Sequence, residues 1–110
     1  FANIFFNKKI ININGDISDW IVTNVGNMEG MFYNCQDFNQ NLEDWDVSNV
    51  ENMGAMFLNA AAFNQTLEGW NVSNVTDMDS MFDGCSNFNS SVTFNDTSSV
   101  TNMRVMFYTF

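Results

Sequence analysis

The chain repeats itself every 25 residues, and this repeat limits the possible folds more than any other feature of the sequence. The register does not slip between Ile13 and Phe107. The repeated aromatic and apolar side chains are Trp20, Trp45 and Trp70; Val25, Val50, Val75 and Val100; Met28, Met53, Met78 and Met103; Phe32, Phe57, Phe82 and Phe107; and Phe38, Phe63 and Phe88. A pattern this regular predicts stacked structural units that bury one continuous core.

The length of the unit selects the class of array. Twenty-five residues are too few for a pair of full helices, but they suit a β-solenoid coil or a leucine-rich-type repeat of about 20–29 residues. We therefore predict a repeat solenoid of about four coils, right-handed and with equivalent residues about 4.8 Å apart. It would form one domain over residues 1–110, with a degenerate first copy at 1–12 and repeats at about 13–37, 38–62, 63–87 and 88–110. The unfinished pattern suggests a piece of a longer chain.

Apolar spacing within the copy from Phe38 to Ala62 predicts the local structure. Spacings of two and three favour a short strand near Leu42–Val47 and a second one near Val50–Met53. Spacings of three and four favour a helical turn near Gly54–Asn59.

Composition excludes several classes of function. The 13 acidic residues outnumber three basic ones and give a formal net charge of −10, which argues against nucleic acid and anionic membranes as partners. Histidine, the commonest general base and transition-metal ligand, is absent. No apolar run is long enough to span a bilayer. We therefore expect a protein that is not an enzyme and uses no cofactor.

The tryptophan ladder allows two interpretations. Exposed rings could stack on sugars, whereas buried rings would form a column in the core. The neighbouring ladders are apolar, and Met and Phe fill wide coil interiors well, so the core interpretation is favoured. Cys35 and Cys85 occupy the same repeat position two coils apart, at about 9–10 Å. Since a disulfide needs Cα atoms within about 7 Å, we predict two separate buried thiols.

Two further kinds of site are candidates. Asp77, Asp79 and Asp83, or Glu43, Asp44 and Asp46, could supply oxygen ligands to Ca²⁺, although neither group has EF-hand spacing and a solvated face is the alternative. Glycosylation sequons begin at Asn64, Asn71, Asn74, Asn89 and Asn95, and Asn71 is expected to be the most exposed. The alternative for these asparagines is hydrogen bonding to the backbone at bends.

The pattern F-N-Q-x-L-x-x-W-x-V-S-N-V-x-x-M-x-x-M-F, as it stands at residues 38–57, resembles the DUF285 surface-protein repeats. These are a branch of the BspA-like leucine-rich repeats, and the resemblance extends from about Ile13 to Phe107. It implies an extracellular or cell-surface solenoid of the kind found in mycoplasmas and some microbial eukaryotes. Members of the family are described mainly as surface lipoproteins, adhesin-like proteins and proteins of unknown function, and the family has no agreed catalytic residues to transfer.

Two functions therefore stay open. The first is an adhesion or binding module for a protein or glycan ligand. Its surface would lie where the copies differ, at Gly26/Glu51/Thr76/Thr101, Glu29/Gly54/Asp79/Arg104 and Gly30/Ala55/Ser80/Val105. The second is a structural subunit of an extracellular filament, sheath or appendage that assembles through the ends or faces of the solenoid, because open coil ends present unpaired strand edges.

Overall fold

The computed structural model of the chain describes residues 16–90, 94, 96–104 and 106. Within these residues, the regular elements are one 3-10 helix, Ile17–Asp19, and isolated parallel bridges that join Asn27 to Asn52, Asn52 to Asp77, and Asp77 to Asn102. The remaining described backbone consists of turns, bends and extended connections. The fold therefore depends on contacts between segments and not on long helices or strands.

Backbone hydrogen bonds join each segment to the next in one register. The N–H of Met28 donates to the carbonyl of Asn52 at 2.9 Å, and Met53 and Met78 donate in the same way to Asp77 at 2.9 Å and Asn102 at 2.8 Å. Three further positions of the first segment follow the same rule: Gly30 donates to Gly54, Phe32 to Met56, and Asn34 to Leu58. We call this stretch, residues 26–34 with its equivalents 51–59, 76–84 and 101–106, the strip.

Left-handed backbone conformations interrupt the strip at two fixed positions. The first is occupied by Gly30, Ala55 and Ser80, with φ of 61°, 53° and 59°, and the second by Asn34, Asn59 and Gly84, with φ of 59°, 59° and 75°. Between the bonds to the next segment, other N–H groups donate three residues back along the chain, as Met56 does to Met53 and Leu58 to Ala55. Bonds to the next segment therefore alternate with bonds inside tight turns, and residues with positive φ interrupt the chain, so the strip is neither an α-helix nor a regular strand.

The predicted local elements need correction for this reason. The helical turn expected near Gly54–Asn59 is a series of tight turns, because Ala55 and Asn59 have positive φ. The strand expected near Leu42–Val47 is wrong, because the carbonyls of Leu42 and Val47 accept the N–H groups of Trp45 and Val50, each at 3.0 Å. Of the second strand, near Val50–Met53, the bridge at Asn52 is present.

Side-chain oxygens form most of the remaining bends. At three places in a segment, an Asn, Asp or Thr oxygen accepts the backbone N–H two residues later, at 2.8–3.4 Å. The residues at these places are Asp16, Asn41 and Thr66; Asp46, Asn71 and Asp96; and Asn27, Asn52, Asp77 and Asn102. Such turns favour Asn and Asp, which accounts for much of the unusual Asn content.

Two columns of stacked phenylalanines fill the centre of the array. Phe32, Phe57 and Phe82 stack at centroid distances of 5.5 and 5.6 Å, and Phe38, Phe63 and Phe88 at 5.9 and 6.0 Å. Neighbouring rings of the two columns lie 4.0–4.9 Å apart. Offset-stacked rings at these distances stabilise a core beyond the burial of their area.

The other residues of the predicted ladders lie at different depths. Trp45, Trp70, Val50, Val75, Met28, Met53 and Met78 are buried, whereas Trp20, Val25, Phe88 and Val100 are partly buried. The expectation that Met103 lies in the core is wrong, because its side chain is 45% exposed. No described residue lies on the far side of the 101–104 stretch to cover it. Phe107 lies outside the described residues.

We predict that Ala55→Gly stabilises the fold by about 0.5–1 kcal/mol. The left-handed conformation costs a residue with a Cβ about 1–2 kcal/mol, which exceeds the extra chain entropy of glycine. Ala61→Gly is the control, since Ala61 is partly buried and is not among the residues with positive φ. Denaturant unfolding should show opposite shifts for the two variants, and loss of stability in both would contradict the assignment.

We also predict that Ile21→Asn stabilises the fold by about 0.5–1.5 kcal/mol. Ile21 is 86% exposed and occupies the place where Asp46, Asn71 and Asp96 accept an N–H two residues later. An asparagine there would accept the N–H of Thr23. Ile21→Ala removes the exposed side chain without adding an acceptor, so thermal unfolding of this control should match wild type. Equal shifts for both variants would show that the acceptor is irrelevant.

Candidate binding surface

The tryptophan side chains join neighbouring segments and do not form a sugar-stacking surface. Trp45 and Trp70 are 3% and 1% exposed. The indole N–H of Trp45 donates to the carbonyl of Ile17 at 2.9 Å, and that of Trp70 donates to Leu42 at 2.8 Å. Each ring therefore packs in the core while its polar atom binds the preceding segment. Trp20 is partly buried.

Cys35 and Cys85 are both buried, and neither forms a disulfide bond. The thiol of Cys85 donates to the carbonyl of Phe57 at 2.9 Å, and the thiol of Cys35 lies 3.8 Å from the carbonyl of Tyr33. Burial raises the pKa of Cys85 to about 12. Because the thiolate is the nucleophile, this thiol is not suited to covalent chemistry at neutral pH.

The calcium candidates do not form a cation site. Asp77 accepts the backbone N–H of Asp79 at 2.8 Å, and Asp79 lies 3.7 Å from the guanidinium of Arg104. In the part of the chain that the structure describes, no three acidic or cysteine side chains converge on a possible metal position. Asp77 thus serves a turn and Asp79 an ion pair, and with Asp83 they do not converge as the Ca²⁺ prediction requires. Glu43, Asp44 and Asp46 likewise do not converge on a possible metal position.

The asparagines of the sequons have different surroundings. The Nδ2 of Asn74 donates to the carbonyl of Ser48 at 2.7 Å, as Asn49 does to Thr23. Asn64 is partly buried, and its Oδ1 accepts from the N–H of Asn89 and the hydroxyl of Ser90. Asn71 and Asn89 are exposed, and Asn95 lies outside the described residues. Hydrogen bonding between segments therefore accounts for Asn64 and Asn74.

Four columns of exposed residues follow the 25-residue repeat, and we call them together the exposed face. Its members lie between the residue before the Trp position and the first residue of the strip, and every one of them is exposed. The columns are Asp19, Asp44 and Gly69; Ile21, Asp46, Asn71 and Asp96; Asn24, Asn49 and Asn74; and Gly26, Glu51, Thr76 and Thr101.

Some side chains of the exposed face are fixed by hydrogen bonds to the backbone, and the others are free to contact a ligand. Asn49 and Asn74 bind the preceding segment, and Asp46, Asn71 and Asp96 hold their own turns. The hydroxyl and the backbone N–H of the serine two residues later both donate to Asp46 and to Asp96, which lowers the pKa of each carboxyl. Asp16 has a lowered pKa for the same reason, through Ser18.

Two of the three variable sets predicted from the sequence are not surface patches. In the first of these sets, Gly30 is buried, and Ala55 and Ser80 are partly buried. All three have a left-handed backbone, which constrains the residues at this position. Val105 lies outside the described residues. In the second set, Gly54 is buried and Asp79 partly buried, whereas Glu29 and Arg104 are exposed at the two ends of the described array. The set that is exposed in every segment is Gly26, Glu51, Thr76 and Thr101.

Sequence reasoning allowed for asparagines that bond the backbone at bends, but it missed the turn-forming oxygens of Asp16, Asn41 and Thr66 and the two left-handed positions. The first could have been found by aligning the copies, because Asp16, Asn41 and Thr66 all carry an oxygen acceptor at one repeat position. Of the left-handed positions, the one shared by Gly, Ala and Ser had a weak signal, whereas the one shared by Asn34, Asn59 and Gly84 carries residue types that favour this conformation.

None of the described residues builds a helix with the length and hydropathy needed to cross a membrane. Comparison with known proteins gave no match among curated proteins and none among solved structures. A family model described as "Mycoplasma protein of unknown function, DUF285" matches residues 1–110. Because this match covers the whole printed sequence, the chain belongs to the DUF285 family.

Proposed function

We propose that the chain is a repeat solenoid of the BspA-like leucine-rich type that acts outside the cell, or at its surface, as an adhesion or binding module. The ligand would be a protein or a glycan. The observation that carries this proposal is the exposed face, where side chains change from segment to segment above a backbone that keeps one register. A rigid scaffold with variable surface positions is a common way to build a binding site.

The solenoid part of the proposal is supported by the bonds between segments. Parallel bridges at Asn27, Asn52, Asp77 and Asn102 follow the 25-residue period of the sequence. The stacked rings of Phe32, Phe57 and Phe82 follow the same period. Each segment thus contacts its neighbours in the sequence, as in repeat arrays.

The charge of the exposed face favours a ligand with a basic surface. Asp19, Asp44, Asp46, Glu51 and Asp96 are exposed there, and no basic residue belongs to the face. Complementary charge increases the association rate and excludes partners of the same sign. We therefore favour a protein with a basic patch over an anionic glycan.

A non-catalytic role fits the surroundings of the reactive groups. Burial raises the pKa of Cys85, and three Asp carboxylates accept hydrogen bonds that stabilise their charged form. Such carboxylates are poor general acids. The alternative function, a structural subunit of an extracellular filament, sheath or appendage, would require an end of the array that a second copy can extend.

We predict that Asp44→Lys weakens ligand binding by about tenfold or more, because the Asp44 side chain is exposed on the face and accepts none of the hydrogen bonds that close the turns. The probes are a glycan array and immobilised collagen, fibronectin and laminin, with binding measured by surface plasmon resonance at two salt concentrations. Asp37→Lys is the matched control, since it changes the charge equally at an exposed position outside the face.

The control should bind like wild type, and higher salt should weaken wild-type binding. Equal loss of binding in the two variants would contradict the assignment of the face. Absence of binding to every probe would contradict the binding function itself.

A further inference from the structure

The sequons differ in what the side chain of the asparagine does in the fold. The Oδ1 of Asn64 accepts two hydrogen bonds from the next segment, and the Nδ2 of Asn74 donates to the carbonyl of Ser48 at 2.7 Å. The sequons that begin at Asn89 and Asn95 include residues outside the described part of the chain. The sequon at Asn71 is described throughout, and its asparagine makes no bond to another segment among the described residues.

The side chain of Asn71 points away from the core. Its neighbours in the chain, Trp70 and Val72, are each 1% exposed, whereas Asn71 is exposed. The equivalent residues of the segments on either side, Asp46 and Asp96, are also described and exposed. Asn71 therefore lies on the surface in the middle of the array, where its surroundings do not depend on either end.

A hydrogen bond within the sequon fixes the amide of Asn71. Its Oδ1 accepts the backbone N–H of Ser73 at 3.0 Å. In the equivalent turn of the preceding segment, Ser48 donates both its N–H and its hydroxyl to Asp46. The turn thus keeps the serine of the sequon beside the asparagine side chain. No described residue accepts a hydrogen bond from the Nδ2 of Asn71, so this nitrogen faces solvent.

The surface beside Asn71 leaves room for a bulky group. Two residues earlier the chain has Gly69, where the two preceding segments have Asp19 and Asp44. A group attached to the Nδ2 of Asn71 would extend into solvent and would displace none of the bonds between segments. The Nδ2 of Asn74, in contrast, is held against the preceding segment.

We propose that Asn71 is an attachment site for an N-linked sugar, which the triplet Asn71-Val72-Ser73 permits by its sequence. The donor is a sugar whose anomeric carbon carries a phosphate leaving group, held either on a lipid or on a nucleotide. The Nδ2 of Asn71 forms a bond to that carbon, and the bond from the carbon to the phosphate oxygen breaks. The phosphate leaves with the electron pair, and Nδ2 loses one proton to a base of the transferase. The proposal does not rest on the proposed binding function.

The first test is mass spectrometry of the protein isolated from the cells that make it. Cleavage after Glu68 and Asp77 releases residues 69–77, a peptide that contains both Asn71 and Asn74. Electron-transfer fragmentation should place the mass of a sugar on Asn71 and none on Asn74. An unmodified peptide, or a sugar on Asn74 alone, would overturn the proposal.

The second test measures sugar transfer to the folded 110-residue chain. One arm contains an oligosaccharyltransferase with a lipid-linked oligosaccharide, and the other a soluble N-glycosyltransferase with UDP-glucose, so the arm that reacts identifies the class of donor. Asn71 should react at least about tenfold faster than Asn74, because the nitrogen of Asn74 must first leave its hydrogen bond. In a synthetic peptide of residues 69–77, which lacks that bond, the two asparagines should react at similar rates.

Asn71→Asp and Ser73→Ala are the matched variants. The first keeps an oxygen that accepts the N–H of Ser73, as Asp46 does in its own turn, and the second keeps that N–H. Circular dichroism should show both as folded as wild type, and both should lose the sugar at position 71, because the sequon requires the amide and the hydroxyl. Ser73→Thr should retain the sugar.

Three results of the transfer assay would overturn the proposal. They are no transfer to Asn71 in either arm, equal rates at Asn71 and Asn74 in the folded chain, and transfer to Ser73→Ala at the rate of wild type. Sugar attachment is measured by mass and not by ligand binding, so these results do not affect the proposed binding function.

Discussion

The inter-segment hydrogen bond of the strip is the interaction on which the rest of the structure depends. Met28, Met53 and Met78 each donate to the carbonyl that precedes their repeat equivalent in the next segment. This register brings Phe32, Phe57 and Phe82 into one column and places Trp70 where its indole N–H reaches Leu42. A shift of one residue would separate all of these contacts at once. Core packing and backbone pairing therefore select the same register.

The polar side chains of this chain mainly hold the backbone in its turns and join neighbouring segments. Asn and Asp oxygens close the turns, and Asn49 and Asn74 bind the preceding segment. This use of polar atoms lets a backbone without long strands satisfy its hydrogen bonds. It also separates the surface into fixed positions and free positions such as Asp44 and Glu51. Side chains at the free positions can then change without disturbing the fold.

The sequence predicts the core better than the path of the backbone. The period and the apolar residues identify the side chains that the structure buries, such as Phe57, Phe63 and Trp70. The spacing of Leu42, Trp45 and Val47 could not reveal tight turns, because alternating burial also fits a strand. The first left-handed position was hidden because Ala55 and Ser80 occupy it with no residue preference to mark it, whereas Asn34, Asn59 and Gly84 at the second are residue types that favour this conformation. The sequence could not test the acidic residues predicted as Ca²⁺ ligands, because Asp and Asn side chains form turns as well as bind metals.

The most direct test of the account is to delete one whole repeat and compare it with a deletion that is one residue shorter. Removal of residues 38–62 joins Asp37 to Phe63 in the same register, whereas removal of residues 38–61 shifts every later residue by one. Near-ultraviolet circular dichroism and denaturant unfolding should show a folded, cooperative protein for the first deletion and loss of fixed aromatic packing for the second. Equal behaviour of the two deletions would contradict the claim that one 25-residue register holds the structure together.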